Sequence, residues 1–391
     1  MSRIDDLIRD LCPDGVEYKP LGDVAGYSPR KASAEILNSA TFVGVDNLLS
    51  QKRGRIDATH APNTSTLTSY SPGNILLGNI RPYLKKVWLA DRSGGCSGDV
   101  LAVEINEQHS RLLEPQFLYY TLSSDSFFKF NQQNAKGAKM PRGDKEAILR
   151  YPVPVPPLEI QHEITRTLDK FTQLEAELEA ELEVRKQQYS HYLNHFFSPN
   201  ADTRMRTLKD VGPIRMCKRI LKRQTSQQDD VPFYKIKTFG GTADAYISRN
   251  LYEEYKEKYS FPKPGSVLIS AAGTIGRAVP YDGRDAYFQD SNIVWIENDE
   301  TVVLNRYLFY YYKIADWKTD GGTIKRLYND RILNTAVPVP PLSEQHRIVD
   351  YLDKFDALIN DLTLGLPAEI EARRKQYEHY RDRLLTFPEK K

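Results

Sequence analysis

Between Ile160 and Phe196 apolar side chains return at mostly three- and four-residue steps: Ile160, Ile164, Leu168, Phe171, Leu174, Leu178, Leu182, Tyr189, Tyr192 and Phe196. One stripe at that period predicts an amphipathic helix over about 158–197, roughly 60 Å long at 1.5 Å per residue. A second stripe runs through Ile348, Leu352, Phe355, Ile359 and Leu362, then resumes at Ile370, Tyr377, Tyr380 and Leu384. Gly365-Leu366-Pro367 interrupts it, and proline's clash with the preceding turn predicts a kink or short break there. Before each stripe stands VPVPP, which keeps the backbone extended because proline excludes the residue before it from the helical region. Long helices with a single apolar stripe need a partner, and each stripe offers the other one. An antiparallel pair is the expected product.

The two stripes are copies. Val153 to Phe171 and Val337 to Phe355 share 13 of 19 residues without a gap, at an offset of 184. The echo returns at Arg185-Lys186-Gln187-Gln188-Tyr189-Ser190-His191-Tyr192 and Arg373-Arg374-Lys375-Gln376-Tyr377-Glu378-His379-Tyr380, now 188 apart, so the second copy carries four extra residues. A period this long is not a solenoid repeat. It marks a duplicated domain-plus-helix unit with an internal pseudo-two-fold relation, and two similar halves imply two similar binding events.

The stretches before the stripes also echo each other, more loosely. Leu21-Gly22-Asp23-Val24 matches Leu208-Lys209-Asp210-Val211, and Pro72-Gly73-Asn74-Ile75-Leu76 matches Pro264-Gly265-Ser266-Val267-Leu268, a turn leading into a strand. Lys85-Lys86-Val87 is set beside Arg277-Ala278-Val279, and Phe117-Leu118-Tyr119-Tyr120 beside Tyr307-Leu308-Phe309-Tyr310, an aromatic helix packed into a core. The fold class expected is α+β: two domains of mixed helix and strand, joined by two long antiparallel helices. The divisions fall at 1–152 and 201–336 for the domains and at 153–200 and 337–391 for the helices.

Charge follows the same division. Net charge is +2 over 1–152, −4 over 153–200, +5 over 201–336 and −1 over 337–391, so basic character sits in the domains and acidic character in the helices. Within the domains the cations cluster, which fits phosphate contacts, although charge runs also arise as plain solvated faces. No apolar run approaches the ~20 residues of a membrane span. The acidic start MSRIDDLIRDL is unlike a signal peptide. Three scattered cysteines, Cys12, Cys96 and Cys217, suggest neither a disulfide framework nor a zinc site, as expected of a cytoplasmic protein.

Searching for chemistry returns absences. There is no Gly-Lys pair and so no P-loop, no Asn-Pro as an adenine methyltransferase motif needs, and no HExxH. His162 and His346 follow Gln161 and Gln345 at the helix starts, with no nucleophile nearby, and read as helix-start or interface residues. The same holds for His191 and His379 at the far ends. No catalytic residue, metal site or cofactor site emerges.

Two variable domains, each followed by a P-x-P-P-L-x-x-Q-x-x-I helix, resemble the specificity subunit of type I restriction–modification enzymes. The opening Leu11-Cys12-Pro13-Asp14-Gly15-Val16 and the ending through Arg373-Arg374-Lys375-Gln376-Tyr377 to Phe387-Pro388 extend the resemblance over the whole chain. It implies two target-recognition domains, each gripping one half of a split double-stranded DNA sequence from the major groove. It implies paired helices that act as a ruler and dock two modification (methyltransferase) subunits. Those partners would bring S-adenosylmethionine, and restriction (endonuclease/translocase) subunits ATP-driven cleavage, leaving this chain non-catalytic. The tandem Leu174-Glu175-Ala176-Glu177 and Leu178-Glu179-Ala180-Glu181 is either a generic acidic helix face or a unit whose count sets spacer length.

The resemblance supplies no fixed base-reading motif, so DNA-binding candidates come from residue type, as Arg, Lys, Asn and Gln reach groove edges and phosphates. In the first domain they are Lys52, Arg53, Arg55, Asn79, Arg81, Lys85, Lys86, Lys139 and Arg142. In the second they are Lys218, Arg219, Lys222, Lys235, Lys237, Arg277, Lys325 and Arg326. Two other classes stay open at this point: a helical scaffold that binds no DNA, and an enzyme with an unrecognised motif.

Overall fold

A computed structural model describes residues 3–199, 203–319 and 326–390. Packing groups the chain into two units, residues 1–179 with 369–391, and residues 180–368.

In the first unit, β1 (Tyr18–Pro20) pairs antiparallel with β10 (Pro152–Pro154), so the first VPVPP segment begins as a strand of its own unit. Between them lie two four-stranded sheets. One runs β2 (Ala25–Tyr27), β9 (Val100–Ile105), β6 (Ile75–Gly78), β7 (Val87–Leu89) in spatial order. The other runs β3 (Lys31–Ser33), β5 (Thr66–Tyr70), β8 (Gly94–Cys96), β4 (Phe42–Val43). All four residues of β6 are buried, as a central strand requires. The aromatic helix Pro115–Leu122 and its neighbour Asp125–Gln133 sink Phe117, Leu118, Phe127 and Phe128 into the core beside Ile160, Ile164 and Leu168 of the long helix. The C-terminal tail closes this unit: Val16 donates its N–H to Pro388 at 2.8 Å, and Lys390 donates to Val16 at 2.9 Å.

The second unit repeats much of this plan. Strand β11 (Arg204–Thr207) pairs with β19 (Ala336–Val339), the second VPVPP segment. The sheet of β12 (Ile214–Arg215), β18 (Ile293–Ile296), β15 (Val267–Ser270) and β16 (Ala278–Pro280) has the same order and directions as the first sheet of the other unit. The parallel pairing of β13 (Val231–Tyr234) with β17 (Tyr287–Phe288) matches β4 with β8. The second sheets differ at one edge, where β14 (Tyr246–Ile247) joins β13 whereas β5 joins β8, and the second unit has a helix at Arg249–Lys258 that the first does not repeat. The strand registers also correct one sequence match. Leu77 faces Val87 and Ile269 faces Ala278, which sets Lys86, not Lys85, in the place of Arg277. The two turns differ in length, and an ungapped comparison slips there by one.

The long helix spans Leu158–Phe196 without interruption and contributes to both units. Its counterpart is two helices, Leu342–Asn360 and Leu366–Leu384, broken where Gly365 and Pro367 stand. In the turn, Asp361 Oδ1 accepts from the Thr363 and Leu364 N–H groups. Gly365 is required there, because a Cβ would lie 2.6–2.8 Å from three carbonyl oxygens. Pairing is antiparallel within each unit. Phe171 stacks on Tyr380 while Glu175 and Glu179 hold Arg374 at 2.7 and 3.1 Å; Tyr189 meets Phe355, and Phe196 meets Tyr351. The stripe departs from expectation in its middle. Leu174 is about half exposed, and Leu362 is 80% exposed because it lies in the turn rather than on a helix.

Candidate nucleic-acid interface

Two loops of the first unit are zipped together by backbone bonds. The loop leaving β6 and the loop after Asn134 meet where Arg81 N–H donates to Pro141 at 2.7 Å and Gly143 N–H donates to Asn79 at 3.1 Å. Arg142 bridges both Ile80 and Lys136. The result presents Arg81, Lys139 and Arg142 outward together, with Arg142 paired to Asp99 at 3.1 Å. A neighbouring loop packs on the first through Gln51 and Lys52, whose N–H groups donate to Leu84 and Lys85, and it exposes Arg53. Gln51, Lys52, Arg81 and Lys85 all have φ between 51° and 61°. Left-handed backbone costs a non-glycine residue about 1–2 kcal/mol, so four such residues in one patch mark a surface whose shape is held by its surroundings.

The other candidates of this unit are occupied within it. Lys52 and Lys85 both donate to Asp125, at 3.0 and 2.8 Å. Arg55 is 8% exposed, pairs with Asp57 and lies over the Trp88 ring at 5.0 Å. Lys86 donates to the Val45 carbonyl at 2.6 Å. Asn79 is 5% exposed, its side chain turned inward against Gly143.

In the second unit the equivalent loop, leaving β15, carries Arg277, whose Nη1 donates to the Phe239 carbonyl at 2.6 Å. That bond draws in the loop after β13, with Lys237 exposed and Lys235 paired to Asp244 at 2.8 Å. Arg326 bridges Ala272 and donates to Ser291 at 3.3 Å. Lys218 lies over the Tyr259 ring at 4.9 Å, and Arg219 and Lys222 are exposed on the same stretch before β13. Lys325 and the Gly321-Gly322-Thr323 stretch lie outside the described residues.

Two side chains fasten each helix start to its own domain, a role the sequence alone did not assign to either. Gln161 is fully buried; its Oε1 accepts from Glu114 N–H at 2.9 Å, and its Nε2 donates to Leu112 and Pro156, both at 2.7 Å. Gln345 does the same with Leu304, Val302 and Pro340. Their signal was present as a glutamine unchanged between the copies. Two turns on, Asp169 accepts from Tyr120 and Gln116, and Asp353 from Tyr310 and Arg306. Burial and then the aspartate raise both tyrosines, which keeps them as neutral donors.

A cation cluster then ties the first unit's loops to the C-terminal helix. Arg381, with no exposed side chain, lies 3.5 Å from Asp125 and 2.7 Å from Asp382, and Lys52 is 3.6 Å from Glu378. Burial opposes ionisation of Asp125, but hydrogen bonds from Lys85 and Lys52 outweigh it and bring its pKa from 3.8 down to about 2. Burial, with Arg381 nearby, pulls Lys52 down. The carboxylate's shift is the measure of the cluster, since the ammonium's is governed by lost hydration.

Among the described residues no group of three His, Cys, Asp or Glu is placed to hold a metal ion, and no helix is long and apolar enough to cross a membrane. Cys96 and Cys217 are buried, which pushes both thiols up to about 12 and leaves them poor nucleophiles. His162 is 61% exposed and lies 3.8 Å from Glu114, a helix-start position.

Comparison with known proteins places this architecture. The family model described as type I restriction modification DNA specificity domain matches twice, at residues 13–184 and 200–372. A putative type I restriction enzyme specificity subunit of Haemophilus influenzae is 43% identical over 386 residues, covering 95% of this chain and 96% of that protein. The EcoR124I/EcoR124II specificity subunit of Escherichia coli is 32% identical over 61% of this chain and 63% of its own. Two solved structures share the fold. A chain from a study of assembly and conformational transition of the type I R-M system has a TM-score of 0.61 at 20% identity, covering 96% of this chain and 98% of its own. The type I S subunit of Mycoplasma genitalium has a TM-score of 0.55 at 12% identity, covering 95% and 96%.

Proposed function

The chain belongs to the type I restriction–modification DNA specificity family, and on that premise we propose that it is the non-catalytic subunit that reads a bipartite DNA target. Each unit reads one half-site through the loops at the end of its central hairpin. The observation that carries this reading is the same scaffold built twice with different side chains at those loops: Arg81, Lys139 and Arg142 in one, Lys237, Arg277 and Arg326 in the other. A rigid scaffold with variable loops lets one fold address two sequences. Exposed cations supply phosphate contacts, and the arginines among them supply base contacts.

The helices serve two purposes in this reading. Their length sets the distance between half-sites, and their acidic exposed faces dock two modification subunits, with restriction subunits joining the assembly. S-adenosylmethionine, ATP and Mg belong to those partners.

Binding of the chain, assembled with its modification subunits, to duplex DNA tests this directly. Displacing counterions from several phosphates makes affinity fall by at least about a hundredfold between 50 and 200 mM salt. Salt-independent assembly without DNA retention would contradict it.

A further inference from the structure

Arg142 and Arg326 hold the same station in the two units. Each bridges the loop that leaves the central strand, Arg142 to Ile80 and Arg326 to Ala272. The residue after each donates its N–H to that loop's first carbonyl, Gly143 to Asn79 and Leu327 to Ala271. Arg142 also exchanges both backbone bonds with Lys136, each 2.8 Å. An arginine with more than half its side chain exposed is thus mounted on a fixed backbone.

The side chains are steadied from the neighbouring turn. Arg142 Nη2 lies 3.1 Å from Asp99 Oδ1, and Arg326 Nη2 donates to Ser291 Oγ at 3.3 Å. Those two turns correspond, because Asn79 N–H donates to the Asp99 carbonyl where Ala271 N–H donates to that of Asn292. Asp99 gives Arg142 a charge-assisted contact and Ser291 gives Arg326 a neutral one, and of these two contacts the charged one is the stronger.

Resting on the DNA-recognition reading above, we propose that Arg142 and Arg326 each read one guanine in their respective half-sites, with Asp99 and Ser291 as positioning residues. Guanine offers two acceptors, N7 and O6, to the major groove, and a guanidinium fork matches them. With Asp99 on one Nη, Arg142 keeps donors for both acceptors. A fork restrained before contact loses less freedom on binding and tolerates fewer wrong bases.

The test uses the chain assembled with its modification subunits and a set of duplexes, each changed at one base pair of the selected site. Arg142→Ala should abolish discrimination at one G·C pair. Asp99→Ala should weaken it at that same pair by about tenfold, leaving every other position, the gap and the thermal midpoint unchanged. Asp99→Ala should add nothing in the Arg142→Ala background, and Asp99→Glu should restore part of the discrimination. Ser291→Ala should act more weakly, at the G·C pair of the other half-site that Arg326→Ala abolishes. Effects of Asp99 and Arg142 at different pairs, or an equal loss on all duplexes, would overturn the proposal while the two-part reading stands. A wild-type complex with no two-part site would overturn both.

Discussion

Gln161 and Gln345 show how one residue can join a helix to a domain. Each carboxamide, itself fully buried, pairs with one backbone N–H and two backbone carbonyls. Truncation would leave all three unpaired, and an unsatisfied buried polar group costs about 1–3 kcal/mol. Gln161→Ala is therefore expected to lower unfolding stability by about 3 kcal/mol in urea titration, whereas His162→Ala, at an exposed site, should change it by less than about 0.5 kcal/mol.

The Asp125 cluster makes a second prediction at the same scale. Asp125 stays ionised in the fold down to about pH 2 but binds a proton near 3.8 when unfolded. Its contribution is thus complete above about pH 4 and lost as pH falls to 2. Its side chain is 38% exposed, so screening holds the contribution to about 1 kcal/mol. Asp125→Asn should abolish that part of the acid dependence. The position of Arg381 in the repeat is held by Leu193 in the other copy, itself buried. Arg381→Leu leaves Asp125 paired with two lysines and should cost well under about 1 kcal/mol, while Asp125→Ala leaves Lys52 with Glu378 and Arg381 with Asp382 but Lys85 without its carboxylate, and should cost about 1 kcal/mol. Sequence could nominate the cations but not sort them. Lysine and arginine bury their stems and can turn their heads either way, and neither Asp125 nor Asp99 stands near its partner in sequence.

At the scale of elements the sequence was more legible. The apolar stripes, the VPVPP strands, the aromatic helices and the break at Gly365-Leu366-Pro367 arise from local rules, and the structure has them. Periodicity could not convey how deeply the stripe is covered. Ile160, Ile164 and Leu168 are fully buried because a domain lies on them, while Leu174 is half exposed beside acidic neighbours. That midsection carries the Leu-Glu-Ala-Glu tandem, all of it helical. Inserting one more unit lengthens the helix by ~6 Å and rotates the downstream half of the helix by ~40°. At 3.4 Å per base, the unread gap should widen by one or two base pairs with both half-sites unchanged. Sites recovered by the lengthened chain check this, and an unaltered gap would remove the ruler role from this segment.

For the molecule as a whole, duplication was visible in 13 shared residues, yet the units it builds are not simple sequence blocks. The first unit draws on both ends of the chain, and the second on the middle. Two sheets of equal order carry loops of unequal sequence. On the proposed function, these loops read two half-sites at a fixed separation. Affinity selection from random duplex DNA, with this chain assembled with its modification subunits, tests it most directly. A motif of two short defined halves at one spacing is the expected result; a single contiguous motif, or no enrichment at low salt, would rule out paired half-site reading.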